Sequence, residues 1–182
     1  MIAQRYKRWR HGRGFGVHSP FAYRVVTDIL HPARGCEYYS MKRLNYLIRH
    51  YPSRTRRFCR LLFRMAARLP ITTLLIPGDH SALPAEVMKN ANSRLHFTRH
   101  LPANIGSGLL ILADPAEVSQ SHLTALHTPG VYLFIRNLKS RPGILDAALA
   151  ARKGGWTFES PDAALIVSAD NSALHRTTLN LP

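Results

Sequence analysis

Four arginines in the segment 53–69 recur at three- and four-residue steps, a spacing that places their side chains on one face of a helix. They are Arg57, Arg60, Arg64 and Arg68. Guanidinium groups in such a row can contact successive phosphates of a nucleic acid. Aromatic side chains lie among Lys and Arg nearer the start of the chain and could stack on bases: Tyr6, Trp9 and Phe15. Basic residues with interleaved aromatics suit single-stranded or structured RNA.

The other face of the same helix is apolar and leaves a second interpretation open. It carries Phe58, Leu61, Leu62, Met65 and Leu69. A helix that is basic on one side and apolar on the other can lie on an anionic membrane surface. We expect the apolar face instead to pack against the α/β domain predicted for the rest of the chain, so that only the arginine face is exposed.

The charge of the chain is concentrated in its first third. Residues 1–68 contain 16 Lys and Arg against Asp28 and Glu37, a net charge of +14, whereas residues 69–182 contain nine Lys and Arg against eight acids, a net of +1. This asymmetry predicts a polyanionic partner, either RNA or an anionic membrane surface. A solubilising tail without a specific partner would carry the same charge, because net charge bears on association and not on fold.

Composition argues against several other classes of protein. The chain has no run of about 18 apolar residues, so no transmembrane segment is expected. Its first residues are basic but lack the apolar segment of a secretory signal. The two cysteines, Cys36 and Cys59, form no disulfide framework. Together these features favour a cytoplasmic protein.

Other residue types that catalyse reactions or bind metals lack the partners they need. His96 and His100 would share one face of a strand, but no Cys, Asp or Glu accompanies them, so no metal site is predicted. Asp79, His80 and Ser81 are the residue types of a catalytic triad, yet consecutive side chains diverge and cannot form a relay. We therefore assign no catalytic residue.

The first 70 residues predict a flexible arm followed by three helices. Ser19 and Pro20 are typical of a helix N-cap and first helical position, and this helix should end before Pro32. Apolar periodicity predicts a second helix over 41–51 and a third that begins at Ser53.

After Pro70 the pattern changes to strands that alternate with helices. Three apolar runs and a weaker pattern, HFTR within residues 94–100, predict parallel strands covered by helices; the apolar runs are 71–76, 109–113 and 131–136. Helical patterns lie between and after them: Leu83–Ala91, Pro115–Leu126 and Pro142–Lys153. Two final strands, WTFES and ALIVSA, are separated by three residues only and should form an antiparallel hairpin. The sequence therefore predicts an α/β, Rossmann-like domain with a mostly parallel sheet of six strands.

The segment RHGRGFGVHSPFAYRVVTDIL resembles the N-terminal HG-x-HSPF segment of a group of bacterial class I SAM-dependent methyltransferase-like proteins. Those proteins continue, as this chain does, with a Tyr-containing helix, a second basic helix and strand–helix units that end in an antiparallel hairpin. The resemblance spans nearly the whole chain and is specific in GFGVHSPF. It implies a shortened methyltransferase-type domain over residues 70–182, preceded by a basic arm and helical extension over residues 1–69.

The resemblance also implies a site for S-adenosylmethionine (SAM). In the family, the cofactor lies against a turn between the first strand and the next helix. That turn corresponds here to Gly78 and Asp79, and Asp114 stands at the end of the LLILA strand, beside the same crevice. Gly78 could equally be an ordinary turn glycine, and Asp114 with Pro115 could be a helix N-cap.

The rest of the family's cofactor pattern is eroded. Residues 98–100 read Thr-Arg-His where the family has an acid that accepts hydrogen bonds from the ribose hydroxyls. Only eight residues separate His100 from Leu109, too few for the family's third strand and its helix. Arg136 and Asn137 replace an acidic pair after the VYLFI strand.

Three functions follow as expectations. The first is a methyltransferase-like protein that binds SAM weakly or not at all and serves as a binding module for a polyanion. The second is an active, divergent SAM-dependent methyltransferase, for example one acting on RNA. The third is a peripheral membrane protein held by its basic arm.

Overall fold

The computed structural model of the protein describes residues 19–32, 41–78, 82–170, 173–179 and 181. They form two compact units, one made of helices and one built on a sheet. The helical unit comprises the described residues up to Pro70 together with 82–95, and the sheet unit comprises the remainder. The predicted domain boundary between residues 69 and 70 stays a prediction. The predicted arm, with Tyr6, Trp9 and Phe15, lies outside the described residues.

The helical unit is organised around one long helix. Its elements are α1 (Pro20–Arg24), which continues as a π-helix (Val25–Leu30), α2 (Met41–Leu47), α3 (Ser53–Arg68) and α4 (Ala82–Ala91). The Ser19 hydroxyl accepts the N–H of Ala22 at 3.3 Å, and Pro20 takes the first helical position, as predicted. Helix α3 packs against α2, α4 and the π-helix. Within the described residues, no helix is both long and apolar enough to span a bilayer.

The apolar face of α3 is buried, and α3 packs against α4, a helix of the segment 70–182 against which this face was predicted to pack. The buried residues of α3 are Cys59, Leu61, Leu62, Phe63, Met65 and Ala66. The second helix differs from its prediction, since α2 ends at Leu47 and Tyr51 is 43% exposed. The periodicity that suggested a helix as far as Tyr51 therefore included a residue that faces solvent.

The sheet unit contains one mixed sheet of seven strands in the order β2-β1-β3-β4-β6-β5-β7. The strands are β1 (Thr73–Leu75), β2 (His96–Thr98), β3 (Leu109–Ala113), β4 (Tyr132–Arg136), β5 (Gly155–Glu159), β6 (Ala163–Ser168) and β7 (Leu174–Thr178). Helix α5 (Gln120–Ala125) connects β3 to β4, and α6 (Gly143–Ala151) lies between β4 and β5. Strand β6 alone runs antiparallel to its neighbours, so the predicted mostly parallel sheet and antiparallel hairpin are confirmed, but the hairpin is not terminal because β7 follows it.

The predicted count of six strands is wrong, because β7 adds a seventh. This strand pairs in parallel with β5, and its first three residues, Leu174 to Arg176, are exposed. Main-chain hydrogen bonds hold such an edge strand, so it shows none of the apolar alternation by which buried strands are recognised. The predicted gap after β2 is present: residues 99–108, all described, form bends and turns without helix or strand.

The core of the sheet unit explains why the apolar runs became strands. Strands β3, β4 and β6 are buried almost throughout, on both faces of the sheet. On one face, side chains from these strands meet apolar residues of α5 and α6, among them Leu123, Ile144 and Ala148. Removing such side chains from water supplies the main driving force for this arrangement.

The hairpin depends on one glycine. Gly155, the first residue of β5, has φ +110°, and an added Cβ would lie against the Val167 carbonyl oxygen and 3.0 Å from the Ala169 nitrogen. Side chains other than hydrogen are strained in this conformation, and the neighbouring atoms are backbone atoms that cannot move aside.

Replacing Gly155 by Ala should therefore lower the free energy of unfolding by about 3 kcal/mol. Gly143→Ala is the matched control: nothing lies within 4 Å of its added Cβ, and its position opens α6. This control should leave stability unchanged or raise it by up to about 1 kcal/mol. Urea unfolding followed by circular dichroism measures both. Equal stability of the Gly155→Ala protein and the wild type would contradict the strand pairing described here.

Candidate functional site at the carboxyl ends of strands β1 and β3

The order of the strands shows where the residues predicted to bind a cofactor lie. From β1 the chain continues through α4 to β2 on one side, whereas β3 lies on the other side of β1. Crevices outside the carboxyl ends of strands form at such a change of direction, and they are the usual ligand sites of open α/β sheets. Gly78 follows β1 and Asp114 follows β3, so the structure brings these two predicted residues to the same edge. Asp79, the third, lies outside the described residues.

A carboxylate of the protein itself fills the space between these two positions. Glu117 Oε2 accepts the main-chain N–H of Asp114 at 2.8 Å. The same carboxylate lies directly against Gly78, where it would overlap a Cβ built on that glycine. Gly78 therefore does leave room for a group to approach the backbone, but the approaching group is Glu117.

The carboxylate of Asp114 is also engaged. Arg136 at the end of β4 binds it with both arms of its guanidinium group, Nε to Oδ1 at 3.1 Å and Nη2 to Oδ2 at 3.0 Å. Asn137 Nδ2 donates to Oδ1 at 3.2 Å from a left-handed backbone conformation with φ 52°. Such a two-point ion pair fixes both partners more firmly than a single contact would. Arg136 and Asn137 thus act here as donors to Asp114.

Asp114 is not a helix N-cap, so that alternative is wrong. Helix α5 begins at Gln120, and Ser119 caps it: the Ser119 hydroxyl accepts the His122 N–H, and His122 Nδ1 accepts the Ser119 N–H. Burial lowers the pKa of His122 below its usual value, which keeps the imidazole neutral and able to accept this bond. Residues 114–119 form a turn and the approach to the cap, which places Glu117 beside Gly78.

Residues 98–100, at the end of β2, include no acidic side chain to accept hydrogen bonds from ribose hydroxyls. Thr98 uses its side chain locally, donating to the main-chain oxygen of His100 at 2.8 Å and accepting the N–H of the same residue at 3.2 Å. Arg99 is exposed and can only donate hydrogen bonds.

The described residues do not fit SAM. Its methionine carboxylate would approach the turn after β1, where the Glu117 carboxylate already lies and would repel it. Its ribose would meet Thr98 and Arg99 in place of an acid. Asp114, the other acid described at this edge, is held by Arg136 and Asn137.

The four predicted phosphate-binding arginines divide into two pairs. Arg57 and Arg68 are exposed. Arg60 Nε donates to Asn45 Oδ1 at 3.0 Å, and Arg64 Nε donates to the main-chain oxygen of Ile29 at 2.6 Å. Arg60 and Arg64 thus connect α3 to the preceding helices, and the expectation of one exposed arginine face is wrong for these two.

The histidines that invited a metal interpretation are on the surface. His96 and His100 are exposed, and within the ranges that the structure describes no three His, Cys, Asp or Glu side chains cluster as metal ligands would.

The sequence reasoning missed Glu117, the residue that most changes the interpretation of this site. Its spacing from Asp114 is that of a capping box, in which a Glu three residues on accepts an N–H at the start of the segment. That pattern could have predicted the bond to the Asp114 N–H. Its contact with Gly78 could not be predicted without the strand order, since it joins residues on different connections.

Replacing Gly78 by Ala should lower the free energy of unfolding by about 1 kcal/mol, because the new methyl group displaces Glu117 from the Asp114 N–H. In a Glu117→Ala background the same replacement should have little effect. The coupling between the two positions, about 1 kcal/mol, comes from urea unfolding of the four proteins. Gly106→Ala is the control, since nothing lies within 4 Å of its added Cβ. If Gly78→Ala and Glu117→Ala had additive effects on the free energy of unfolding, the contact between these two residues would be ruled out.

Comparisons with known proteins do not identify this site. No protein-family model, no curated protein and no solved structure matches the chain. The likeness to class I methyltransferases consequently rests on the GFGVHSPF segment and on the order of strands and helices, and what it implies is argued below as a proposal.

Proposed function

We propose that this protein is a class I methyltransferase-like protein that does not use SAM and binds a polyanion, RNA in the first instance, through its basic helical unit. The strand–helix order and the antiparallel hairpin support the family assignment. One observation carries the loss of SAM binding: the Glu117 carboxylate lies against Gly78 and accepts the Asp114 N–H. A site that satisfies its own polar groups loses those bonds when a ligand enters, and the ligand must compensate for them.

The helical unit carries the charge that supports the polyanion. The described residues 19–32, 41–70 and 82–95 contain twelve Lys and Arg and two acids, Asp28 and Glu86. A net charge of this size on so few residues attracts phosphates over a Debye length and accelerates their association. The buried apolar face of α3 weakens the membrane alternative, because an interfacial helix must insert that face into the lipid.

Titration with SAM and with S-adenosylhomocysteine tests the first half of the proposal. Isothermal calorimetry on the purified protein should detect no binding tighter than about 1 mM, equivalent to about −4 kcal/mol. Repulsion between the Glu117 carboxylate and the SAM carboxylate acts against binding. The lack of an acidic side chain in residues 98–100 to accept hydrogen bonds from the ribose has the same effect. Micromolar affinity that weakened on replacement of Asp114 by Ala would contradict the proposal and favour the active methyltransferase.

The salt dependence of RNA binding tests the second half. On single-stranded RNA, log K should fall with log salt concentration by roughly 0.7 per phosphate contact. Replacing the two exposed arginines of the predicted row, Arg57→Gln with Arg68→Gln, should flatten this slope by about 1.4. Arg60 and Arg64 are left in place because they hold the helices together.

The control for this experiment removes the same charge from the sheet unit. Arg99 and Lys139 are exposed there, and Arg99→Gln with Lys139→Gln should leave the slope unchanged. Fluorescence anisotropy with a labelled oligonucleotide measures both double variants, and vesicles with 30% anionic lipid are compared alongside. Equal slopes for the two double variants, or no RNA binding near physiological salt, would contradict the polyanion assignment.

A further inference from the structure

An open cavity of about 310 Å³ lies within the helical unit, between the end of α2 and helix α4. The residues around it that bear on its chemistry are Arg43, Tyr46, Arg49, His50, Glu86 and Asn90. All lie in the described part of one compact unit. The cavity combines an aromatic ring, cationic groups and hydrogen-bond acceptors, which are the three kinds of group that a nucleotide can engage together.

Tyr46 is the most exposed large apolar side chain among the described residues, with 67% of its surface accessible. The Arg49 guanidinium carbon lies 4.1 Å from the centroid of the Tyr46 ring, a cation–π arrangement. This contact holds the ring in place while leaving much of it in water. A preoriented, exposed aromatic ring is a platform on which a base can stack.

The cations beside the ring are available to a phosphate. Arg43 and Arg49 are both exposed, and the acid that lines the cavity with them, Glu86, belongs to α4 on the opposite rim. Arg49 Nε donates to His50 Nε2 at 2.8 Å, which orients the guanidinium group toward the ring and leaves its other N–H groups to bind an anion.

The side chains on the opposite rim of the cavity favour a nucleotide over a polyanion that has no bases. Glu86 and Asn90 are one helical turn apart on α4, and Asn90 Nδ2 donates to the main-chain oxygen of Glu86 at 2.9 Å. This leaves the Glu86 carboxylate and the Asn90 side-chain oxygen as acceptors. A carboxylate repels phosphate but accepts hydrogen bonds from base amino groups and ribose hydroxyls.

We propose that this cavity binds one nucleotide of a single-stranded nucleic acid. The base stacks on Tyr46, the flanking phosphates contact Arg43 and Arg49, and Glu86 accepts a hydrogen bond from the base or sugar. A single strand is required because the bases of a duplex are already stacked on one another. The inference rests on the proposed polyanion binding and adds to it a site that recognises bases.

The test compares an oligonucleotide with a polyanion that has no bases. Anisotropy measures direct binding of a labelled 12-residue oligouridine, and competition measures inorganic polyphosphate. Tyr46→Ala should weaken oligouridine binding about fivefold to 100-fold, the range expected for losing one stacked base, while Tyr46→Phe keeps the ring and the affinity. Neither replacement should change polyphosphate binding more than twofold. Thermal unfolding should be unchanged, because Tyr46 is exposed.

Tyr23→Ala is the matched control. This tyrosine is 47% exposed in the same unit and does not line the cavity, so its loss should leave both affinities within twofold of the wild type. The double variant Arg43→Gln with Arg49→Gln should bind both ligands more weakly, because both ligands contain phosphates.

Three results would overturn the inference. If oligouridine binds and Tyr46→Ala binds it equally well, the stacking site is wrong while the polyanion proposal survives. If Tyr46→Ala weakens oligouridine and polyphosphate equally, the ring does not recognise bases. If neither ligand binds to the wild type near physiological salt, both the inference and the polyanion proposal fail.

Discussion

Strands β3, β4 and β6 are buried on both faces, and this burial is the constraint on which the rest of the sheet unit depends. A strand in that environment can carry polar side chains only where it ends, since an unpaired polar group inside the sheet would be costly. The charged groups of β3 and β4 therefore collect at the carboxyl edge. There Asp114 and Arg136 form a two-point ion pair, and the turn that follows β3 brings Glu117 back to the Asp114 N–H. The carboxyl edge is the usual ligand site of open α/β sheets, but here the protein's own side chains bond to the polar groups at that edge.

Much of this architecture could be predicted from the sequence because burial on both faces leaves continuous apolar runs. LLILA and VYLFI were recognisable as strands for that reason, and the three residues between WTFES and ALIVSA permitted only a hairpin. Strand β7 could not be recognised in this way: Leu174, His175 and Arg176 face solvent, and the strand is held by its main-chain pairing to β5. Gly78 and Asp114 were correctly expected at one edge of the sheet, but what lies between them depends on a contact between Gly78 and Glu117 that only the strand order creates.

The helical unit shows why a periodic row of charges does not by itself define a binding surface. Arg57, Arg60, Arg64 and Arg68 follow one spacing, yet two of them hold the helices together through Asn45 and Ile29, and two face solvent. Acceptors such as the Ile29 main-chain oxygen, near the end of the π-helix, carry no sequence signature. The aromatic and basic groups around Tyr46 were equally hidden, because α2 and α4 are separated by the whole of α3 and β1 along the chain. The proposed nucleotide site is therefore the cavity beside Tyr46 and not the row of arginines that the sequence suggested.

Amide hydrogen exchange at Asp114 tests the central claim, that Glu117 closes the edge of the sheet, more directly than any binding assay. If Glu117 accepts this N–H, exchange at Asp114 should be slow in the wild type and about tenfold faster in Glu117→Ala, consistent with the loss of one hydrogen bond. The amide of Ile111, which β3 pairs with strands on both sides, should exchange equally slowly in both proteins. Equal exchange rates at Asp114 in the two proteins would show that the edge is open and would contradict this account.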